Sequence, residues 1–256
     1  VRLRAEGHTR MPFHGDLRSA PVPGCVDGWA ALHRRFGRLP LRDVLGPAIG
    51  YAADGFPASP LLAAAQVLLD GVAGTDDLLD TRPLRPGDVV RRPGVALALA
   101  AVAEHGRAGF YGGAFGDGLL ALGAGVYAPE DLAAEQARWV EPVRATAWGH
   151  DLWTVPAPSQ GYLSLLGCLV AEGLPLPDAA DDSRWAHLLV EAARAAAHDR
   201  PSVLHEHADV RALLDGAEVA REIALVDGDR RSAMPTPVGH GGTMNLCAGG
   251  PDGDAV

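Results

Sequence analysis

The chain has 256 residues, which is enough for one large domain or two small ones. Hydrophobic residues make up 48% of the chain and support a substantial core. The formal net charge of −10 argues against a nucleic-acid partner, because such a partner calls for a basic face. No uninterrupted apolar run approaches the roughly 18 residues of a membrane-spanning helix, so we expect no membrane span.

The first half of the chain predicts helices that are joined by short connections. Asp27 is a possible N-cap for a helix that continues to Gly37. A second helix is predicted over 42–54, with Gly55 as its stop, and a third begins at Ser59. Another helix is predicted to begin near Pro93, because proline suits the first turn of a helix.

In the second half, the spacing of apolar residues changes from the helical pattern to strict alternation. Alternating apolar residues on both sides of Gly149 predict a β-hairpin near 139–155. A buried helix is predicted over 163–174, and an amphipathic helix over 183–198. Its water-facing side is predicted to carry Arg184, His187, Glu191 and Arg194. The segment 221–234 is polar and predicted to be mobile.

A glycine-rich stretch near the end of the sequence leads into Thr243, and a strand-like segment follows. Threonine is a weak nucleophile unless a base lies beside it, and one solution is a chain that begins with threonine and uses its own α-amine. That amine has a pKa of about 8. Freeing it would require cleavage of the Gly242–Thr243 peptide bond. Residues alone leave the commoner alternative open, a glycine-rich loop before a strand that merely contains threonine.

Other residues suggest chemistry less strongly. His198 and the run His205-Glu206-His207 invite a metal site, but no third ligand has motif spacing, and we expect neither a metal nor a cofactor. Ser159 lacks a nucleophile-elbow motif and is predicted to cap a helix. The cysteines at 25, 168 and 247 fit no disulfide framework and are predicted to pack in the core.

Several segments, in this order along the chain, resemble the γ-glutamyltransferase (γ-glutamyltranspeptidase) family. The matching blocks are V-P-G-x-V-x-G-W at 22–29 with Phe36-Gly37 after it, A-I-x-x-A-x-x-G-F-P at 48–57, P-G-D at 86–88, V-A-E-H-G at 102–106, F-Y-x-G at 110–113, E-D-L-A at 130–133, P-A-P-S-Q-G at 156–161, and the stretch 243–256. The resemblance covers nearly the whole chain. Departures from the family pattern are Met244 directly after the threonine, Gly250 in place of an aspartate, and Asp254 in place of an asparagine.

The resemblance implies an α+β fold, the αββα sandwich of N-terminal-nucleophile hydrolases, which we expect to be incomplete here and mostly helical. It implies a precursor that cleaves itself before Thr243, the catalytic nucleophile. Residues 1–242 would then be an N-terminally truncated large-subunit portion, and residues 243–256 the first strand of the small subunit. A chain that stops on the first strand of a hairpin leaves an unpaired edge, so we expect the sequence to be a fragment.

The resemblance also implies the reaction. Glutathione or another γ-glutamyl amide would be the donor, and water, an amino acid or a peptide the acceptor. The partner expected after processing is the protein's own small subunit. The sequence leaves open a related amidohydrolase, acylase or natural-product pathway enzyme, and an unprocessed paralogue that only binds ligands. In the family, the oxyanion glycines lie far downstream and the carboxylate-binding arginine upstream, so those roles are assigned to no residue here.

Overall fold

The computed structural model describes residues 2–9, 11, 16–69, 72, 75, 83–234 and 249–251. The chain divides into two compact units, Val1–Arg138 and Trp139–Val256. Within the described ranges, no helix has both the length and the apolar composition that crossing a membrane requires.

The first unit is mainly helical. Its helices are α1 (Arg2–Ala5), α2 (Cys25–Phe36), α3 (Leu41–Asp54), α4 (Pro60–Ala65), α5 (Pro93–His105), α6 (Arg107–Tyr111), α7 (Ala114–Leu122) and α8 (Pro129–Ala133). Short 3₁₀ turns are formed by Leu17–Ser19 and Gln66–Leu69. Strands β1 (Phe56–Pro57) and β2 (Val89–Val90) pair antiparallel.

Local signals explain where these helices begin and end. Gly55 ends α3 with a φ of 103°, a left-handed conformation that favours glycine, and a β-carbon there would clash with the side chain of Val89. Ser59 caps α4 by accepting a hydrogen bond from the backbone N–H of Leu62 at 3.0 Å. Pro93 stands in the first turn of α5. The expected starts and stops are confirmed at these positions.

The predicted capping role of Asp27 is wrong. The N-cap of α2 is Gly24, and Asp27 lies inside the helix with only 3% of its surface exposed. Its carboxylate accepts hydrogen bonds from Arg107 Nε at 2.5 Å and from the backbone N–H of Gln136. Arg107 also donates to the carbonyl of Leu132 at 2.8 Å. Asp27 therefore joins α2 to α6 and to the segment after α8.

The second unit is built around one hairpin and two long helices. Its elements are β3 (Val143–Ala147), β4 (His150–Thr154), α9 (Tyr162–Glu172), α10 (Arg184–Ala197), α11 (Arg200–Val203), a 3₁₀ turn (Ala212–Leu214) and α12 (Gly216–Ile223). The hairpin closes through Trp148 and Gly149, which both have positive φ as a two-residue primed turn requires. The predicted hairpin is confirmed.

Helix α9 forms the centre of the second unit's core. Its apolar face includes Leu166 and Val170, which are 3% and 0% exposed. This face packs with Val143 of β3 and with Ala192 of α10 in one buried cluster. Met234 belongs to the same cluster, although it lies far along the chain from both helices. The core therefore extends to the segment that leads toward Thr243.

Candidate functional site

The segment 221–234, which was predicted to be polar and mobile, is partly buried. Residues up to Ile223 belong to α12, and Glu222 on that helix is 1% exposed. Ser232 and Met234 are each 8% exposed. The helical start of this segment and the burial of Glu222, Ser232 and Met234 were therefore not anticipated from the sequence.

The predicted water-facing side of α10 is also wrong for two of its four residues. Arg184 is exposed as expected, with 62% of its side-chain surface accessible. Glu191 is only 2% exposed, and the side chain of Arg194 is 15% exposed. Arg194 Nη1 lies 2.5 Å from Glu191 Oε1. We refer to Glu191 and Arg194 as the anchor pair.

The anchor pair binds the backbone on both sides of Ser232. The backbone N–H of Ser232 donates to Glu191 Oε2 at 2.9 Å. Arg194 Nη2 donates to the carbonyl oxygens of Ser232 and Met234, each at 3.1 Å. The Nε of Arg194 is buried and meets no acceptor among the described residues. The pair therefore satisfies backbone groups of a partly buried segment that belongs to no sheet or helix.

Two further contacts fix the beginning of the same segment. The Oγ of Ser232 accepts a hydrogen bond from the backbone N–H of Asp227 at 2.8 Å. The Nε2 of His187 lies 2.9 Å from the carbonyl oxygen of Asp227. Because a carbonyl oxygen only accepts, this ring nitrogen carries the proton. The segment from Asp227 to Met234 is thus fixed at three positions against α10.

Opposing effects set the pKa of Glu191. Burial acts to raise the pKa of this carboxyl, but hydrogen bonds from Ser232 and the guanidinium of Arg194 outweigh burial and lower it. Glu191 is therefore ionised in the folded protein at neutral pH. An ionised carboxylate accepts hydrogen bonds that are shorter and stronger than those of a neutral amide.

Thr243, the predicted nucleophile, lies outside the described residues. So do Gly242, the predicted acyl side of the cleaved bond, and Cys247. Met234 is the last described residue before them, and eight residues, 235–242, separate it from Thr243. Among the described residues before the predicted cleavage bond, the contacts closest to it along the chain are those of Met234, with Arg194 and with the buried cluster around α9.

A cavity of about 870 Å³ opens between the hairpin turn, α9 and α10. Its lining includes Trp148, Leu163, Trp185 and Leu189, with Ser164 and Cys168 as polar groups. Among the described residues, no charged side chain lines this cavity. A γ-glutamyl group carries an α-carboxylate and an α-amine, and an apolar wall offers neither of them a partner. We therefore do not assign the cavity to substrate.

His198 meets Asp199 and Glu222 rather than the histidines at 205 and 207. Candidate ligand atoms of these three residues lie within 4.8 Å of one another, and no other such group occurs among the described residues. The Nδ1 of His198 is 3.3 Å from Glu222 Oε2 and 2.8 Å from the carbonyl oxygen of Ala195. Since that carbonyl only accepts, Nδ1 carries a proton, and we assign no metal to this cluster.

The remaining sequence candidates have local roles. Ser159 is not the cap of α9, because the cap is Gly161; its Oγ accepts a hydrogen bond from the Gly161 N–H at 3.2 Å. Cys25 is exposed in the first turn of α2, so its predicted core position is wrong. Cys168 is half-buried, and its sulfur-bearing side chain lines the apolar cavity.

Comparison with known proteins gives one family. The family model described as Gamma-glutamyltranspeptidase matches residues 2–256. The Glutathione hydrolase proenzyme of Pseudomonas aeruginosa is 33% identical over 201 residues, which are 73% of this chain and 35% of that protein. The Acylase ACY 1 proenzyme of Pseudomonas sp. (strain SE83) is 32% identical over 228 residues, which are 85% of this chain and 40% of that protein.

A solved structure shares the fold. The gamma-glutamyltranspeptidase from Pseudomonas nitroreducens, complexed with L-DON, aligns with a TM-score of 0.73 and 30% identity. The alignment covers 84% of this chain and 68% of the solved chain. The sequence-based prediction of family and fold is confirmed, and the chain belongs to the gamma-glutamyltranspeptidase family of N-terminal-nucleophile hydrolases.

Proposed function

We propose that the full-length protein is a γ-glutamyl transferase/hydrolase that cleaves its own Gly242–Thr243 bond and then uses Thr243 as its nucleophile. One observation carries the proposal: Thr243 follows a glycine and begins a stretch that resembles the start of the family's catalytic subunit, within a chain that the family matches over residues 2–256. Two relatives that are named as proenzymes, a glutathione hydrolase and an acylase, support it.

The first step creates the catalytic base. The Oγ of Thr243 attacks the carbonyl carbon of Gly242, and the amide nitrogen leaves as the α-amine of Thr243 while an ester forms. Water then hydrolyses the ester, which returns the hydroxyl and leaves a carboxylate on Gly242. Glycine on the acyl side leaves room for this attack, because it carries no side chain.

The second step is acyl transfer. The α-amine of Thr243 accepts the hydroxyl proton as Oγ attacks the γ-carbonyl of glutathione or another γ-glutamyl amide. The donor's amine leaves with a proton, and a γ-glutamyl ester forms on Oγ. Water, an amino acid or a peptide amine then takes the acyl group. Hydrogen-bond donors must stabilise the oxyanion in both half-reactions.

Substitution of Thr243 tests both steps. In the full-length protein, Thr243→Ala should abolish cleavage and turnover, because no hydroxyl remains at the reacting position. Thr243→Ser is the matched control: it keeps the hydroxyl and the α-amine and should retain cleavage and measurable turnover. Mass spectrometry reads the new N-terminus, and release of p-nitroaniline from a γ-glutamyl anilide reads turnover. Full turnover by Thr243→Ala, or an active protein with Gly242 and Thr243 still joined, would refute the proposal.

The acylase relative favours a second candidate, an enzyme with the same self-cleavage that acts on other amides. The two candidates differ in whether the α-amine of the donor is recognised. We therefore compare γ-glutamyl-p-nitroanilide with glutaryl-p-nitroanilide, which has the same chain without the amine. A transferase of γ-glutamyl groups should prefer the first substrate, whereas faster release from the second identifies an acylase. An intact, uncleaved chain without activity identifies a binding protein.

A further inference from the structure

The anchor pair has features that packing of α10 does not require. Two charged side chains on consecutive turns of a helix would normally face water. Here the carboxylate of Glu191 is buried and the side chain of Arg194 is only 15% exposed, and together they bind three backbone groups of Ser232 and Met234. Burial of a charged pair carries a large desolvation cost, which apolar residues of similar size would avoid. The hydrogen bonds from the pair to the backbone form only when Ser232 and Met234 lie in this place.

We propose that Glu191 and Arg194 are positioning residues for self-cleavage, which rests on the function proposed above. They hold the segment 232–234 in place, and this segment is joined to the Gly242–Thr243 bond by the eight residues 235–242. The attack of Thr243 Oγ on the carbonyl of Gly242 requires the two groups to lie close together in the right orientation. Because 235–242 connect them to 232–234, fixing 232–234 affects the rate of cleavage.

The anchor pair should affect self-cleavage but not turnover, because Met234 and Thr243 are covalently joined only before cleavage. Before cleavage, the position of Met234 constrains Gly242 and Thr243 through the backbone. After cleavage, Thr243 begins a new chain and has no covalent link to Met234. The anchor pair should therefore influence the rate of cleavage and have little influence on turnover by the processed enzyme. A general role in stability would instead affect both rates.

Loss of the anchor pair would loosen the segment without releasing it. Met234 keeps its place in the buried cluster around α9, and Ser232 keeps its hydrogen bond with Asp227. The pair adds three hydrogen bonds to the backbone of Ser232 and Met234. Without them the backbone at 232–234 is held less firmly, and cleavage should slow relative to wild type.

The test uses the full-length precursor with Arg194→Lys. Lysine keeps the positive charge but lacks the planar fork that binds Glu191 and two carbonyl oxygens together. Arg184→Lys is the matched control, because Arg184 lies on the same helix and pairs with Asp182 at an exposed position. We measure the precursor by denaturing gel over time, kcat and KM of the processed enzyme, and hydrogen exchange at residues 232–234.

We expect Arg194→Lys to slow cleavage relative to wild type, to increase exchange at 232–234, and to leave kcat and KM of the processed enzyme unchanged. Arg184→Lys should cleave at the wild-type rate. An unchanged cleavage rate in Arg194→Lys overturns the inference, as does an equal loss in cleavage and turnover. If Arg194→Lys does not fold, Glu191→Gln applies the same test, because glutamine keeps the shape and loses the charge. If wild type itself yields no Thr243 N-terminus, the proposed function fails instead.

Discussion

The replacement Asp27→Ala tests how the first unit is held together. The expected loss in the free energy of unfolding depends on whether Asp27 is a helix cap or a partner in a buried ion pair. Loss of a helix cap costs about 0.5–2 kcal/mol. Loss of one partner from a buried ion pair costs about 3–5 kcal/mol, because the other charge stays buried without compensation.

The structure favours the larger value. Asp27 is 3% exposed, and its removal takes away the only carboxylate that Arg107 contacts among the described residues. Arg107 keeps two acceptors in the variant, the carbonyl oxygens of Leu132 and Ala134. These remaining hydrogen bonds reduce the penalty, so we expect a loss of about 3 kcal/mol, near the lower end of the range.

Hydrogen exchange in the full-length protein is the appropriate assay, because it reports on the first unit separately. Peptides that cover Cys25–Phe36 and Arg107–Tyr111 should exchange faster in Asp27→Ala. Asp215→Ala is the matched control: Asp215 caps α12 through the backbone N–H of Glu218 at 2.9 Å, and its loss should cost about 1 kcal/mol within α12. A cost for Asp27→Ala no greater than that of Asp215→Ala would refute the buried-pair argument.

The remaining predictions concern the second unit. Burial raises the pKa of Glu222, so the folded state binds this proton more tightly than the unfolded chain does. Stability should therefore fall as the pH rises above the ordinary value of 4.5. Thermal unfolding at several pH values should show that Glu222→Gln reduces this fall; an unchanged pH dependence would contradict it. Gly161→Ala should destabilise by about 1–3 kcal/mol, because its new methyl group would collide with Thr154. Gly167 lies within α9, and a β-carbon there would have Ala196 of α10 as its nearest neighbour, at 4.0 Å. Gly167→Ala should therefore be neutral or stabilising in the same thermal unfolding experiments. Equal effects of the two glycine substitutions would exclude the steric explanation.

Helix boundaries were predictable from the sequence because their causes are local. Ser59 caps a helix by bonding to a residue three positions later, and Gly55 ends one through its own backbone angle. The turn at Trp148 and Gly149 likewise needs only the conformations of its two residues. Such signals do not depend on how distant parts of the chain are arranged.

Burial of charged side chains was not predictable in the same way. The period of α10 assigned Glu191 and Arg194 to the water-facing side, yet a segment about 40 positions later covers them. Asp27 resembled a cap because it stands near a helix start, but its partner Arg107 is 80 positions away. A helical pattern alone cannot distinguish a side chain in water from one that pairs with a later segment.

The sequence by itself determined the family, most helix and hairpin positions, and the threonine on which the proposed chemistry depends. Those features follow from short-range backbone preferences and from motifs that are read directly along the chain. Only the tertiary structure decided which polar groups are buried and what they hold. Glu191, Arg194 and Asp27 became structural residues because long-range packing removed water from them, and a buried charge is stable only where a partner meets it.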